Sequence, residues 1–305
     1  MDDAATPGTR AGFAALIGAP NAGKSTLLNG LVGAKVSIVS RKVQTTRSLV
    51  RGIAIEGSAQ IVFVDTPGLF KPRRRLDRAM VTSAWGGAGD ADVVCLLVDA
   101  RRGVDEEVGA IVTRLPELRQ PKVLVLNKVD VVERGSLLGL AERLNADVAF
   151  QHTFMVSALT GSGVGDLKRT LAGMMPPGPW LYPEDQISDA PLRMLAAEIT
   201  REKIYERLHE ELPYQSTVET DSWTVRPDGS VRIEQTIFVE RESQRSIVLG
   251  ENGRAIKAIG AQARREIAEV AEVPQVHLFL HVKVRENWGD DPERYREMGL
   301  EFPRR

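Results

Sequence analysis

Up to about residue 175 the chain alternates continuous apolar runs of β type with stretches of helical periodicity. Strands are predicted over 13–17, 50–55, 60–64, 93–98, 123–126 and 153–156, each followed by turn residues or a polar loop. Runs that are apolar at every position, separated by helices, are the pattern of a doubly wound, mainly parallel α/β sheet buried on both faces. In such sheets ligands bind outside the carboxyl ends of the strands. Residues 176–185, Pro-Pro-Gly-Pro-Trp-Leu-Tyr-Pro-Glu-Asp, then form a stretch too rich in proline for a helix or an inner strand and suited to a stiff connector. Beyond it the pattern changes. Helical periodicity covers 191–211, and 214–225 with 230–239 read as a hairpin turning at Pro227-Asp228-Gly229. Ile247-Val248-Leu249 leads into Gly250-Glu251-Asn252-Gly253, followed by a helix from Arg254 to about Ala271 and a strictly alternating strand over 276–284. The expected organisation is a frayed tail over 1–10, a first domain over 11–175, a linker over 176–190 and a small α+β domain with a C-terminal tail over 191–305.

Composition narrows this only a little. The 305 residues carry a formal net charge of −1, so no global field draws the chain to nucleic acid or membrane, and any such binding rests on a local patch. The single cysteine, Cys95, lies inside the apolar run Val93–Val98 and reads as a small buried hydrophobe, in keeping with a reducing compartment. The first residues are polar and acidic, and no run approaches the roughly 18 apolar residues of a membrane span, so a cytoplasmic, soluble protein is expected.

The chemistry is concentrated at strand ends. Gly18-Ala19-Pro20-Asn21-Ala22-Gly23-Lys24-Ser25-Thr26 follows the first strand and opens a helix. Glycines at both ends let consecutive N–H groups and a helix N-terminus converge on a phosphate, with Lys24 reaching the β and γ oxygens and Ser25 placed for Mg²⁺. An ordinary glycine-rich turn accounts for the glycines but not for Lys24-Ser25. Asp65-Thr66-Pro67-Gly68 closes the third strand, placing Asp65 to hold Mg²⁺ through water and the Gly68 N–H near the γ-phosphate. Asn127-Lys128-Val129-Asp130 closes the fifth. A carboxylate there accepts two hydrogen bonds from the adjacent N1–H and N2–H₂ donors of guanine, which adenine lacks, so the nucleotide is GTP (and its product GDP) rather than ATP. Ser157-Ala158-Leu159, after the sixth strand, adds a backbone N–H for the guanine O6. Gln44-Thr45-Thr46-Arg47 lies before the second strand, where a threonine hydroxyl completes the Mg²⁺ shell when the γ-phosphate is present; Thr46 is the first choice and Thr45 the second. Each tetrapeptide alone is an ordinary turn or connector. Five in this order are not.

Together these motifs resemble the translation-factor-related GTPases. More narrowly, Ser40-Arg41-Lys42-Val43-Gln44-Thr45-Thr46-Arg47, Ala84-Trp85, the connector from Pro179 to Asp185 and Trp288-Gly289-Asp290-Asp291-Pro292 resemble the Era-type GTPases of the TrmE-Era-EngA-like group, over residues 12–302. The resemblance implies a phosphate-loop GTPase domain followed by a type II KH domain. It implies binding to small-subunit ribosomal RNA near its 3′ end and a switch role in maturation of the 30S precursor. Asn21 resembles the residue by which related GTPases hold a monovalent cation, which makes K⁺ stimulation of hydrolysis an expectation.

The residues of the second domain agree with this, with one departure. Gly250-Glu251-Asn252-Gly253 has the form of a loop that clamps a nucleic-acid backbone, although two such glycines are also a common helix cap. Relatives carry a basic residue inside the loop; here Glu251 and Asn252 stand there, so the attraction for phosphate falls to Arg254, Lys257 and Arg264, diluted by Glu266 and Glu269. His277 and His281 fall on one face of a strand, with no further ligands beside them. The position after Asp65-Thr66-Pro67-Gly68, where many GTPases carry a glutamine that orients the attacking water, is Leu69. Slow intrinsic hydrolysis follows, with Lys24, Thr46 and Gly68 left as catalytic groups. The basic run Lys71-Pro72-Arg73-Arg74-Arg75 reads equally as a solvated cluster or an RNA contact. Two function classes stay open: an RNA-binding assembly switch acting as a monomer, and a GTPase directed at a protein or at the cytoplasmic face of a membrane, with the C-terminal unit as adaptor.

Overall fold

The structure, a computed structural model, describes residues 8–40, 42, 45–208, 215–286 and 288–303. Gln44 and Tyr214 lie outside the described residues. Contacts divide the chain into two compact units, the first comprising Met1–Ser37, Thr46–Asp189 and Met298–Arg305, the second Ile38–Thr45 and Ala190–Glu297. The sequence assigned 38–45 to the first domain and the residues after 297 to the second. Sequence order alone could not show that these two short segments change sides.

The first unit is built from β1 (Arg10–Gly18), α1 (Lys24–Val32), β2 (Val50–Glu56), β3 (Ala59–Asp65), α2 (Arg75–Gly89), β4 (Val93–Asp99), α3 (Glu106–Arg114), β5 (Lys122–Asn127), α4 (Arg134–Asp147), β6 (His152–Val156) and α5 (Val164–Met174). The strands form one sheet in the order β2-β3-β1-β4-β5-β6, parallel except for β2, which returns antiparallel beside β3 as an edge. Strand alternation divides the apolar runs between two cores. Leu16, Phe63, Cys95 and Val125 meet Leu27, Leu28 and Leu31 of α1 and Leu167 and Leu171 of α5. Their neighbours Ile17, Leu96, Val98 and Leu126 meet Ala84 and Ala88 of α2, Ile111 of α3 and Leu144 of α4 on the other face. Two-sided burial explains why these strands read as unbroken apolar runs. It also pushes the Cys95 thiol up to about 12, so the group is inert near neutrality.

The proline-rich connector is not a free spacer. Ile53 donates its N–H to the Ile187 carbonyl at 2.9 Å, the Ser188 hydroxyl donates to the Arg51 carbonyl at 2.9 Å, and Arg51 pairs with Asp189 at 2.8 Å. Gln60, fully buried in β3, donates to the Tyr182 carbonyl at 2.8 Å and accepts the N–H groups of Leu181 and Tyr182 at 2.8 and 2.9 Å. A buried amide requires such partners, and the connector supplies them while covering the open edge of β2.

The second unit runs α6 (Leu192–Arg207), β7 (Ser216–Val225), β8 (Val231–Val239), α7 (Glu242–Leu249), α8 (Arg254–Val270), β9 (Val276–Val284) and a short α9 (Pro292–Glu297). Its sheet has the order β7-β8-β9, with the hairpin pair antiparallel and β8 parallel to β9. The hairpin turns where Asp228 accepts the Ser230 N–H at 2.9 Å and Gly229 takes φ +79°. Ile199, Ile204, Ile233, Ile237, Ile259 and Ile267 fill the core beneath α6 and α8. The β9 alternation places Val276 inside and leaves Phe279, His281 and Lys283 exposed, with the Arg232 guanidinium 4.7 Å above the Phe279 ring.

Candidate nucleotide and nucleic-acid sites

The loop between β1 and α1 is forced into shape by close contacts. A side chain at Gly18, φ +153°, would bring its Cβ to 2.4 Å from the Leu97 carbonyl oxygen, and one at Gly23, φ +98°, to 2.2 Å from the Asn127 side-chain amide. Asn21 sits at φ +62° between them. Gly23 is the N-cap of α1 and provides no side-chain cap, so the first N–H groups of the helix, including those of Ser25 and Thr26, face outward for an anion. Lys24 is 7% exposed and folds back to donate to the carbonyls of Gly18 at 3.0 Å and Ala19 at 3.1 Å. Burial pushes its pKa down to about 8, against the opposing pull of Asp65 and Glu107.

Below the loop, Asp65 is completely buried at the end of β3. Its Oδ2 accepts hydrogen bonds from the hydroxyls of Ser25 at 2.6 Å, Ser37 at 3.0 Å and Thr46 at 3.3 Å, and Thr46 lies 3.0 Å from Ser25. Its Oδ1 is buried with no partner among the described residues. Burial pushes the Asp65 carboxyl up, while Lys24 and the three hydroxyls pull it down. The Ser25 and Thr46 hydroxyls and one carboxylate with an unsatisfied oxygen suit Mg²⁺, which keeps several of its own waters rather than demanding a full protein cage. The structure brings Thr46 to this cluster. Thr45 it does not: that hydroxyl donates to the Lys42 carbonyl at 2.8 Å within the second unit, where its own carbonyl accepts from Arg201. Arg47 is buried at 4% exposure.

The chain after β3 is tied to the same loop. Thr66 donates to the Leu16 carbonyl at 2.8 Å, Gly68 lies so close to Pro20 that a Cβ would meet it at 3.0 Å, and the Leu69 N–H donates to the Gly18 carbonyl at 3.0 Å. Leu69 itself is 3% exposed and packs into the core, so neither its N–H nor its side chain is available to orient a water.

At the other end, Asn127 braces three loops. Its amide donates to the Ala22 carbonyl at 2.8 Å, and its oxygen accepts the N–H groups of Lys128 at 2.8 Å and Ala158 at 3.0 Å. The sequence assigned a backbone N–H of Ser157-Ala158-Leu159 to the guanine O6. Ala158 and Ser157 already donate, and of the three only the Leu159 N–H has no partner among the described residues. Lys128, at φ +66°, reaches across to the Asn21 carbonyl and to Asp99 at 2.7 Å. Asp130 is exposed on the turn 129–131, free to meet a base.

Sequence reasoning missed Asp99, Asn29 and Ser37. Asp99 ends β4 and holds both Lys128 and Arg101, each at 2.7 Å. Burial disfavours its charge, yet the hydrogen bonds from Arg101 and Lys128 outweigh that and hold its carboxyl down at about 2. A signal was present: Asp65, Asp99 and Asn127 each end an apolar strand of the same sheet.

In the second unit Gly250 to Gly253 joins α7 to α8. Gly250 takes φ +68°, where a Cβ would stand 2.7 Å from that of Ala255, Asn252 takes φ +53° and Gly253 φ +72°. Gly253 caps α8 without a side-chain hydrogen bond, leaving another open helix N-terminus. Arg254, Lys257 and Arg264 are exposed along one side of α8 and form no ion pair among the described residues. Glu266, which the sequence counted against this patch, is held by Lys203 at 2.7 Å, while Glu251 and Glu269 stay exposed.

A glycine loop on a helix N-terminus, a buried aspartate ringed by hydroxyls and a guanine-matching loop, followed by a GxxG helix pair on a three-stranded sheet, define a P-loop GTPase with a KH domain. Residues 13–128 match the family described as 50S ribosome-binding GTPase and residues 211–289 the KH domain family. The chain is 71% identical over 296 residues to GTPase Era of Afipia carboxidovorans, covering 97% of this chain and 96% of that protein, and 69% identical to GTPase Era of Rhizobium meliloti, covering 97% and 94%. Two solved structures superpose with TM-score 0.90 at 36% identity, each covering 95% of this chain and 99% of the other. One is a variant of Aquifex aeolicus Era bound to GDP and AlF4⁻; the other is Era in complex with MgGDPNP and nucleotides 1506–1542 of 16S ribosomal RNA. The chain belongs to the Era family of GTPases.

Proposed function

We propose that this protein is a slowly hydrolysing GTP switch that binds small-subunit ribosomal RNA near its 3′ end and assists maturation of the 30S precursor, acting as a cytoplasmic monomer. The observation that carries the reading is the pairing in one chain of two open helix N-termini with different surroundings. That of α1 ends in a cradle with Lys24 and the Asp65 hydroxyl cluster, and that of α8 in an exposed basic face. The matched P-loop family is described by the large subunit. The relative solved with nucleotides 1506–1542 of 16S ribosomal RNA, matched over 95% of this chain, favours the small subunit for a chain that carries both domains.

In this reading the open backbone N–H groups between Asn21 and Thr26 and the Lys24 ammonium bind the phosphates, Asp130 and the Leu159 N–H select guanine, and Ser25 and Thr46, with Asp65 through water, would hold Mg²⁺. Bound there, Mg²⁺ neutralises charge on the β and γ phosphoryl oxygens. Thr46, which sits in the Ser25–Asp65 cluster, and Gly68, which lies against Pro20 of the phosphate loop, are the groups placed to sense the γ-phosphate. Hydrolysis is slow because Leu69 is committed to the core and a partner must complete the site.

The test is RNA binding by the full chain to an oligonucleotide copy of the 16S 3′ end. Gly253→Asp is expected to weaken it by about 10- to 100-fold, since a carboxylate enters the phosphate-facing helix end while aspartate tolerates the left-handed backbone. GTP binding should be unchanged. Absence of RNA binding by the wild type would overturn the proposal in favour of a protein- or membrane-directed switch.

A further inference from the structure

We propose that Ser37 is a positioning residue of the Mg²⁺ site: its hydroxyl fixes the Asp65 carboxylate so that the unpartnered oxygen is the one presented to the metal's waters. The inference rests on the nucleotide-site reading above and adds a residue to it. Three hydroxyls converge on Asp65 Oδ2, and they are not equivalent. Ser25 and Thr46 have a second task, because their oxygens are the ones placed for the metal. Thr46 is also the most distant donor of the three, at 3.3 Å. Ser37 has no such second task.

It is also firmly anchored. Asn29, on α1, accepts the N–H groups of Val36 at 2.9 Å and Ser37 at 3.0 Å and donates its amide to the Ser37 carbonyl at 2.8 Å. Ser37 is 2% exposed and closes the first stretch of the first unit; the next residue, Ile38, belongs to the second. Its place is therefore set by the helix that also carries Lys24 and Ser25, whatever the following segment does. A carboxylate with one oxygen held by a fixed donor keeps one orientation, and Asp65 Oδ1, buried and without a partner among the described residues, is left as the acceptor.

The test uses the full chain and the release of a fluorescent GDP derivative measured against free Mg²⁺. Mg²⁺ should slow release from the wild type. In Ser37→Ala the half-maximal Mg²⁺ concentration should rise about tenfold, the scale at which removal of a ligand's supporting hydrogen bond weakens a metal site. GDP release in EDTA should be unaltered. Ser37→Cys, of similar volume but a weak donor, should behave like the alanine variant, which keeps the test open if alanine disturbs folding. In an Asp65→Asn background Ser37→Ala should produce no further shift, whereas a merely structural role would persist there. An unchanged Mg²⁺ titration in both Ser37 variants, or an undiminished shift in the Asp65→Asn background, would overturn the role of Ser37 alone. Release from the wild type that ignores Mg²⁺ would overturn the metal-site reading and this inference with it.

Discussion

Lys24→Ala is expected to weaken GTP binding by two to three orders of magnitude or more while leaving the protein folded. The ammonium is 7% exposed and is held over the loop by the carbonyls of Gly18 and Ala19, so it already points into the cradle where a triphosphate would lie. Burial leaves it poorly solvated and pushes its pKa down to about 8. A triphosphate entering without the lysine would leave negative charge uncompensated in that environment. Losing one partner of a buried charge pair costs about 3–5 kcal/mol, a factor of roughly 200 to 5,000 in affinity. The fold is not at risk, because alanine is the best helix former and no core contact depends on the ammonium. Isothermal titration with GTP, accompanied by a thermal melt, reads both. Affinity within tenfold of the wild type's would refute the phosphate-loop assignment.

The second large effect concerns the base. Asp130→Asn is expected to reverse selectivity from GTP toward xanthosine triphosphate. A carboxylate accepts from both N1–H and the exocyclic amino group of guanine; an asparagine amide donates at one of those positions, where xanthine offers a carbonyl. Sites built to pair a polar edge reject the mismatched analogue strongly, so the swing in the GTP to XTP affinity ratio is expected on the order of 10⁴. Asp130 is exposed and its turn is set by the backbone of Lys128 at φ +66°, so the substitution leaves the surrounding loops in place. Competition of the two nucleotides for the same protein decides it. Unchanged preference would remove Asp130 from the base site.

Much of this was legible from residues alone because it depends on local rules. Apolar runs such as Val93 to Val98 announce strands buried on both faces, and Gly18 to Thr26 announces its function because few other spacings let a backbone wrap a phosphate. The hairpin turn at Pro227 to Gly229 and the alternating strand over 276–284 were likewise visible, since turn chemistry and a period of two are written in sequence. What stayed hidden depends on partners far away in the chain. Asn29 looks like any polar helix residue until the fold shows it holding Val36 and Ser37. The connector reads as a stiff spacer until Gln60, buried in β3, shows the need for its backbone. Nor could the sequence reveal that the Ala158 N–H is taken by Asn127, or that the segment 38–45 leaves the first unit, because both are outcomes of tertiary competition.

GTP occupancy is expected to control the RNA-binding domain, and the measurement that decides it is the affinity of the full chain for the 16S 3′-end RNA with a non-hydrolysable GTP analogue and with GDP, at one fixed salt concentration. Coupling between two ligand sites in one protein is typically 1–3 kcal/mol, so the two affinities should differ by roughly 5- to 150-fold, and the RNA should shift the preference between the analogue and GDP by the same factor. Equal RNA affinity in both nucleotide states would contradict the claim, leaving a GTPase and an RNA-binding domain joined in one chain without a switch between them.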